Sequence, residues 1–581
     1  MSAPGPVINC HTHIFIGDNV PPYIAKTFLP APLYRIFSVK FILRICRFWF
    51  IHPGSPRQWK YLPVYKYTEL AIYNYRMFVR RRPVLKFLVR LFNVLVTYHA
   101  LLYFFYWIST FFIKTDRDTT SVLSGVAGWL QERHLFYYPE QWWLRLAAVA
   151  FTLVFIATGR KIIFYLWKRL WKFLSILPDQ QTLRFMARYL HIGRFAYYRN
   201  PGRIFIKLKN QYEPGTGFVI LPMDMHFMGA SPKNAPDTYG SQMAELYKLK
   251  QNRRYGEQVF PFVFIDPRRS QVDGKVFLDW TAANGTVSLG DCFVKEYIEE
   301  KEFNGFKIYP ALGYYPFDEK LLPLWKYAAD NDLPILTHCI RGTIFYRGTK
   351  KKEWDRHPVF REKNERGEWQ GLLLPEMKNK HFINNFTHPL NYLCLLEERL
   401  LRIVVGDASP EVQALFGYRG PDQEMEHNLS HLKLCFGHYG GDDEWEKFFE
   451  KDRDDYTSQM FTQPETGLIF TKPGDIKLSH NTLVQMWQWV DWYSIISSMM
   501  LQYDRVYADI SYIIHNPDTY PLLKKSLQNI KLRKRILFGT DFYVVRNHKS
   551  EKQIVATIQA ALSPVEFNAI ARDNPMAFLF R

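Results

Sequence analysis

Cysteine is scarce. The 581-residue chain has six, Cys10, Cys46, Cys292, Cys339, Cys394 and Cys435, with no CxxC pair and no framework spacing. That excludes a disulfide scaffold and fits a reduced, cytosolic setting. The opening residues, Met-Ser-Ala-Pro-Gly-Pro-Val-Ile-Asn-Cys-His, lack a charged start and an apolar core, so no signal peptide is expected. Internal repeats and nucleic-acid motifs are also missing, so no nucleic-acid partner is expected. With 48% hydrophobic and 22% charged residues, the chain is not a disordered or low-complexity protein.

Acidic residues are unevenly withheld. The net charge is +20 overall, but from Asp18 to Tyr212 there are 30 Lys and Arg against 7 Asp and Glu. The remainder holds 45 basic and 48 acidic residues and is close to neutral. A strongly basic, aromatic-rich segment is therefore set into an ordinary globular chain. Within it, residues 91–113 form an apolar run long enough to span a bilayer, and 142–162 a shorter one with Arg145 near its start. Basic residues crowd both outer flanks, so the positive-inside rule predicts a hairpin with both flanks cytoplasmic. The stretch Leu33–Ile51 mixes Arg35, Lys40, Arg44 and Arg47 with apolar and aromatic residues, which suits an amphipathic helix on an anionic membrane surface. A helical cap packed on itself is the alternative.

Outside 18–212, short apolar runs alternate with helix-period stretches. Eight strand candidates are Val7–Phe15, Gly217–Met223, Val259–Ile265, Gly305–Tyr309, Leu333–Thr337, Leu432–Phe436, Arg505–Ile510 and Arg535–Gly539. Helical patterns lie between several, such as Asp291–Glu302, Glu319–Asn331 and Ser550–Leu562. This predicts an α/β protein, a (β/α)8 barrel whose first strand sits in residues 1–17 and whose remainder is 213–581. The large helical insertion, expected to be membrane-inserted, falls between strands one and two. Three polar stretches, Gly342–Lys380, Arg402–His431 and Asp452–His480, are candidate lids.

Chemistry-bearing residues collect where a barrel keeps its active site, at the C-terminal ends of strands. His11 and His13 are two apart on a strand and point to one side. His338 follows Leu-Pro-Ile-Leu-Thr, His438 sits in Gly-His-Tyr-Gly-Gly, and Asp541 ends Leu-Phe-Gly-Thr-Asp. Three histidines and a carboxylate suit Zn²⁺ or a similar divalent metal. Lys307 occupies the end region of strand four. Asp224, His226, Asp266, Arg268, Arg341 and His388 follow other strands as candidate substrate contacts. Trp487, Trp489 and Trp492 read as packing residues.

With these motifs in view, including Val-Tyr-Ala-Asp509-Ile-Ser at strand seven, the chain resembles the amidohydrolase superfamily. The likeness is to its amidohydrolase-related branch, which includes aminocarboxymuconate-semialdehyde decarboxylase. The resemblance covers residues 1–17 and roughly 213–581. It implies a distorted TIM barrel holding one or two divalent ions, most often zinc. It also implies that His11, His13, His338 and Asp541 are ligands, and that His438 is a second-metal ligand or an acid/base. Lys307 then reads as a carboxylated bridging ligand, a substrate-anion contact or an ordinary lysine. The expected activity is hydrolysis of an amide, lactone or ester on a small-molecule substrate, with Asp541 and His438 catalytic. Non-oxidative decarboxylation is the runner-up, and a membrane-tethered binding or signalling module the third reading. Membrane lipid is the expected partner of residues 18–212, with the barrel on the cytoplasmic side.

Overall fold

The computed structural model describes residues 5–29, 31–52, 55, 63–112, 122–135, scattered positions from 141 to 169, and 198–580 except 233, 343, 375–381, 451–453, 471–479 and 543. Eight parallel strands form in the predicted places: β1 (Ile8–Thr12), β2 (Gly217–Ile220), β3 (Val259–Pro261 continuing as Val263–Ile265), β4 (Phe306–Ile308), β5 (Ile335–Ile340), β6 (Leu434–Gly440), β7 (Val506–Asp509) and β8 (Ile536–Leu537). Each pairs with its neighbour in sequence order. The last rejoins the first through a parallel Thr12–Phe542 bridge and the Cys10 N–H on the Phe538 carbonyl at 2.8 Å. An eight-stranded α/β barrel results. Only β3 is broken, where Pro261 and Phe262 split one ladder between two neighbours. The Phe262 N–H bonds to Ile220 of β2, and the Val263 N–H to Gly305 at the start of β4.

Intervening helices include Tyr239–Lys250, Leu322–Asp330, Trp492–Gln502, Tyr520–Gln528 and Glu551–Ala561, which cover the barrel with a continuous apolar core. Trp487 and Trp492 are buried, as packing residues should be, while Trp489 is largely exposed. Inside the barrel floor, Ile8, Cys10, Val219, Phe262, Leu336, Cys435, Tyr507 and Leu537 cluster with Phe578 from the C-terminal helix Asn574–Phe580. Of the candidate lids, the first folds an antiparallel pair, Arg356–Lys363 with Trp369–Leu373. The second contains the helix Pro410–Phe416 and the third the helix Asp454–Thr462.

The chain divides into two compact units, Met1–Arg47 with Phe185–Arg581, and Phe48–Arg184. The second contains the helices Pro63–Arg80, Pro83–Phe112 and Val122–Glu132. Among the described residues no helix is long and apolar enough to cross a membrane. The expected span 91–113 falls in the helix Pro83–Phe112, but the side chains of 103–112 and all of residue 113 lie outside the described set. Most of 142–162 lies outside it too. The membrane hairpin read from those two runs therefore finds no support in the fold.

Asn9 ties the barrel seam. Its Oδ1 accepts from the backbone N–H groups of His11 and Thr540, and its Nδ2 donates to Thr540 Oγ1 and Tyr212 Oη. Tyr212 in turn donates to Glu551 at 2.5 Å. Replacing Asn9 with Leu strands these buried groups, each of which costs roughly 1–3 kcal/mol when left unpaired. We expect Asn9→Leu to lower unfolding stability by about 2–4 kcal/mol, read as a shift of the urea midpoint at unchanged slope.

Candidate metal centre

Strand periodicity builds the site directly on the apolar floor. Side chains two apart share a face, so Leu336, Cys435, Tyr507 and Leu537 are followed, one layer up, by His338, Gly437, Asp509 and Gly539. The β1–β2 register shifts between Asn9 and Thr12, and His11 enters this layer. Two glycines make its room. A Cβ on Gly437 would lie 2.7 Å from the Thr337 carbonyl oxygen and 3.1 Å from His11 Cε1, and one on Gly539 would lie 2.9 Å from His11 Cβ. Four non-glycine residues at or just past strand ends, His438, Tyr439, Tyr512 and Asp541, have positive φ of 65°, 43°, 64° and 60°. Backbone of this kind concentrates at functional sites.

The donor atoms converge. His13 Nε2 lies 3.4 Å and His11 Nε2 3.9 Å from Asp541 Oδ1, and all three residues are buried. His11 Nδ1 is 2.9 Å from Asp509 Oδ2, and His13 Nδ1 is 2.8 Å from the Leu221 carbonyl. Both partners are acceptors, so each ring donates from Nδ1 and turns Nε2 toward Asp541; burial keeps His11 neutral, which leaves its Nε2 bare. His438 Nε2 is 3.1 Å from His338 Nδ1, and His438 Nδ1 is 2.9 Å from Ser511 Oγ. With the protons running from His338 through His438 to Ser511, His338 Nε2 is bare as well. His11 Nε2 and His338 Nε2 are buried and have no hydrogen-bond partner among the described residues. The Tyr309 ring stacks on His338 at 3.9 Å and fixes its plane. Among the described residues two groups have donor geometry suited to an ion, His11, His13 and Asp541, and His11, His438 and Asp509; His338, expected as a ligand, belongs to neither.

Electrostatics agree with bare imidazoles. Burial, reinforced by Lys307 and His13, holds His11 well below the usual imidazole range. Burial and then His438 do the same to His338, while burial and His11 push His438 down to about 3. Lys307 is fully buried, its Nζ has no hydrogen-bond partner among the described residues, and burial lowers it to about 8 against the pull of Asp509 and Asp541. The bare His11 Nε2 beside His13 Nε2 and the Asp541 carboxylate is a donor set that fits a divalent cation.

The outer candidates are engaged elsewhere. Asp224 pairs with Arg269 at 2.6 Å and caps the N–H of His226. Arg268 grips Asp266 and donates to the Leu312 carbonyl. Arg341 faces Glu444 at 3.3 Å, and His388 stacks on Trp487 at 3.9 Å. None of these contacts joins them to the imidazole cluster, though the Arg341 charge helps burial lower His388. Residues without an assigned role do reach it. Asp509 holds His11 with one oxygen and accepts from the N–H groups of His438 and Ser511 with the other. The sequence marks Asp509 at the end of strand seven without giving it a role.

No family model matches the chain, and no curated protein matches it. Solved structures align over the barrel at 12% identity. A 4-oxalomesaconate hydratase from Rhodopseudomonas palustris covers 65% of this chain and 80% of its own, with a TM-score of 0.32. A zinc-bound amidohydrolase from Burkholderia multivorans covers 67% and 91%, at 0.30. A manganese-bound dihydroxybenzoic acid decarboxylase from Polaromonas sp. JS666 covers 70% and 91%, at 0.35. Overlap this loose carries no functional argument, so function must come from the residues.

Buried neutral imidazoles make the ion-free chain sensitive to acid. Each takes up a proton more readily when unfolded, so its contribution is present above its ordinary value of 6.5 and is lost as pH falls below it. The window extends down to about 3 for His438. Each histidine contributes up to about 1.4 kcal/mol per pH unit within it. We expect the urea midpoint of chelator-treated protein to fall steeply between roughly pH 6.5 and pH 5; a flat profile would show that these rings take up protons as readily in the folded chain as in the unfolded one.

Proposed function

We propose that the barrel is a metal-dependent hydrolase acting on a small-molecule carbonyl substrate, an amide, lactone or ester. His11, His13, His338 and Asp541 would hold a divalent ion, with zinc as first choice for a nitrogen-rich set. The observation that carries this reading is the pinning of imidazole protons on the far side of each ring. Asp509 leaves His11 bare toward Asp541 and the Leu221 carbonyl turns His13 Nε2 the same way, a repulsive arrangement that a cation relieves.

Such an ion would supply a Lewis acid and bring the pKa of a water it holds to about 7. The chain's own residues supply the rest. Asp541 would accept the proton of the attacking water and pass it to the leaving group. His438 is neutral and has both nitrogens engaged, so it orients His338 and enters proton transfer only after receiving a proton. Lys307 is a further candidate ligand, as a carboxylated bridge to a second ion. Arg341 and His388 stand closest to a substrate-binding role, with Arg suited to a carboxylate; Asp224, His226 and Arg268 support the surrounding loops.

Decarboxylation is the second reading, and Lys307 favours it. A buried amine beside the cluster can bind a substrate carboxylate when it remains uncarboxylated. The basic segment 18–212 supports placing the enzyme at a membrane, with lipid as its partner and the barrel on the cytoplasmic side.

Metal analysis tests the centre. We expect His11→Ala and Asp541→Asn to lose most bound metal while circular dichroism stays unchanged, and a stoichiometric ion in both variants would refute the ligand set. Asp509→Asn leaves all four ligands but frees His11, so zinc affinity should fall roughly 10–100-fold in competition with a chelator. Labelled bicarbonate separates the two reactions. A carbamate ¹³C signal absent from Lys307→Met favours hydrolysis, and no such signal in metal-replete enzyme favours decarboxylation.

A further inference from the structure

The helix Val39–Ile51 has two dissimilar faces. Val39 and Leu43, four apart and so on one side, are buried in the same core as Ile24 and Ala25. The other side shows Phe41 and Ile45, preceded by Phe37, each between 38% and 48% exposed. Single exposed apolar residues are ordinary, but a row of large ones along one helix face marks an interaction surface. Arg35, Lys40 and Arg44 stand exposed along the row. Arg47 is turned back onto Asp18, at 3.7 Å. From Val20 to Thr68 there are eight Lys and Arg residues and no Asp or Glu.

We propose that this outer face, from Phe37 to Ile45, docks on an anionic lipid bilayer, with the helix lying in the interface and not crossing it. The proposal rests on the membrane reading above and specifies its contact. Thirteen residues rise only about 20 Å, short of the roughly 30 Å hydrocarbon thickness. One side of the helix is already committed to the barrel core, so it is not available to lipid. What remains is an aromatic row at headgroup depth with basic side chains beside it, the composition of an interfacial helix. The missing acidic residues decide the partner. A bilayer carrying negative headgroups is complementary along the whole stretch, and each Lys or Arg near such a surface strengthens binding several-fold.

The test is flotation of the purified full chain with vesicles of phosphatidylcholine alone or mixed with phosphatidylserine. Three proteins are compared: the natural chain, Lys40→Glu with Arg44→Glu, and Phe41→Ser with Ile45→Ser. The natural chain should float with the mixed vesicles and be released by salt, and both variants should bind about tenfold more weakly or less while keeping their circular dichroism. If all three proteins bind both vesicle types and resist salt, the chain is held elsewhere; the docking face is then wrong and the membrane reading survives. If none binds either vesicle, both fail. A concentration-dependent dimer that only Phe41→Ser with Ile45→Ser abolishes would assign the face to a second copy of the chain and overturn the proposal.

Discussion

The contact between Asp509 and His11 holds the centre of the molecule together. It joins β7 to β1 inside the barrel, and it fixes which nitrogen of His11 carries a proton. Everything around it is arranged to keep that geometry. Gly437 and Gly539 give the ring its space, Asn9 anchors the backbone on either side of the β1–β8 seam, and the register shift in β1 brings His11 into the layer above the floor. The second oxygen of Asp509 also holds the backbone at His438, where φ is positive, so the same carboxylate supports the second pair of histidines.

That arrangement explains why a barrel floor of Leu, Cys and Tyr can carry so polar a layer directly above it. Burying four imidazoles, two carboxylates and a lysine is costly unless their charges and protons are mutually satisfied. Here burial keeps His11, His338 and His438 neutral, and hydrogen bonds engage the ring nitrogens that are not turned inward. The buried atoms without a hydrogen-bond partner among the described residues include three from this centre: His11 Nε2, His338 Nε2 and Lys307 Nζ.

Much of this was legible in the sequence, for physical reasons that also set the limit. Strand positions showed through because a strand buried on both faces is a short apolar run between polar loops, and Val263–Ile265 or Ile335–Ile340 could hardly be anything else. The break at Pro261–Phe262 did not show, because a change of partner in a ladder leaves no compositional trace. His11 and His13 were visible by spacing and His338, His438 and Asp541 by recurrence at strand ends. The roles within that set depend on which atom each ring bonds, and spacing says nothing of that. Asp224 and Arg268 looked available to substrate because their partners, Arg269 and the Leu312 carbonyl, come from other strand-end loops. The apolar run at 91–113 showed a helix, Pro83–Phe112, but length and composition alone do not decide between crossing a bilayer and lying against one.

Charge balance around Lys307 connects the centre to its chemistry. Asp509 and Asp541 bring two negative charges, and a divalent ion would neutralise them. A charged Lys307 would then leave one uncompensated positive charge in a fully buried layer. Burial already lowers this amine to about 8 without any ion, and a nearby cation pushes in the same direction. A neutral amine is the form that reacts with carbon dioxide, and the resulting carbamate adds a negative charge that a second cation would balance. The two reactions proposed for this barrel thus correspond to two ways of settling one charge. A neutral amine with a single ion leaves a donor that can meet a substrate carboxylate, whereas a carbamate with two ions leaves the layer without one.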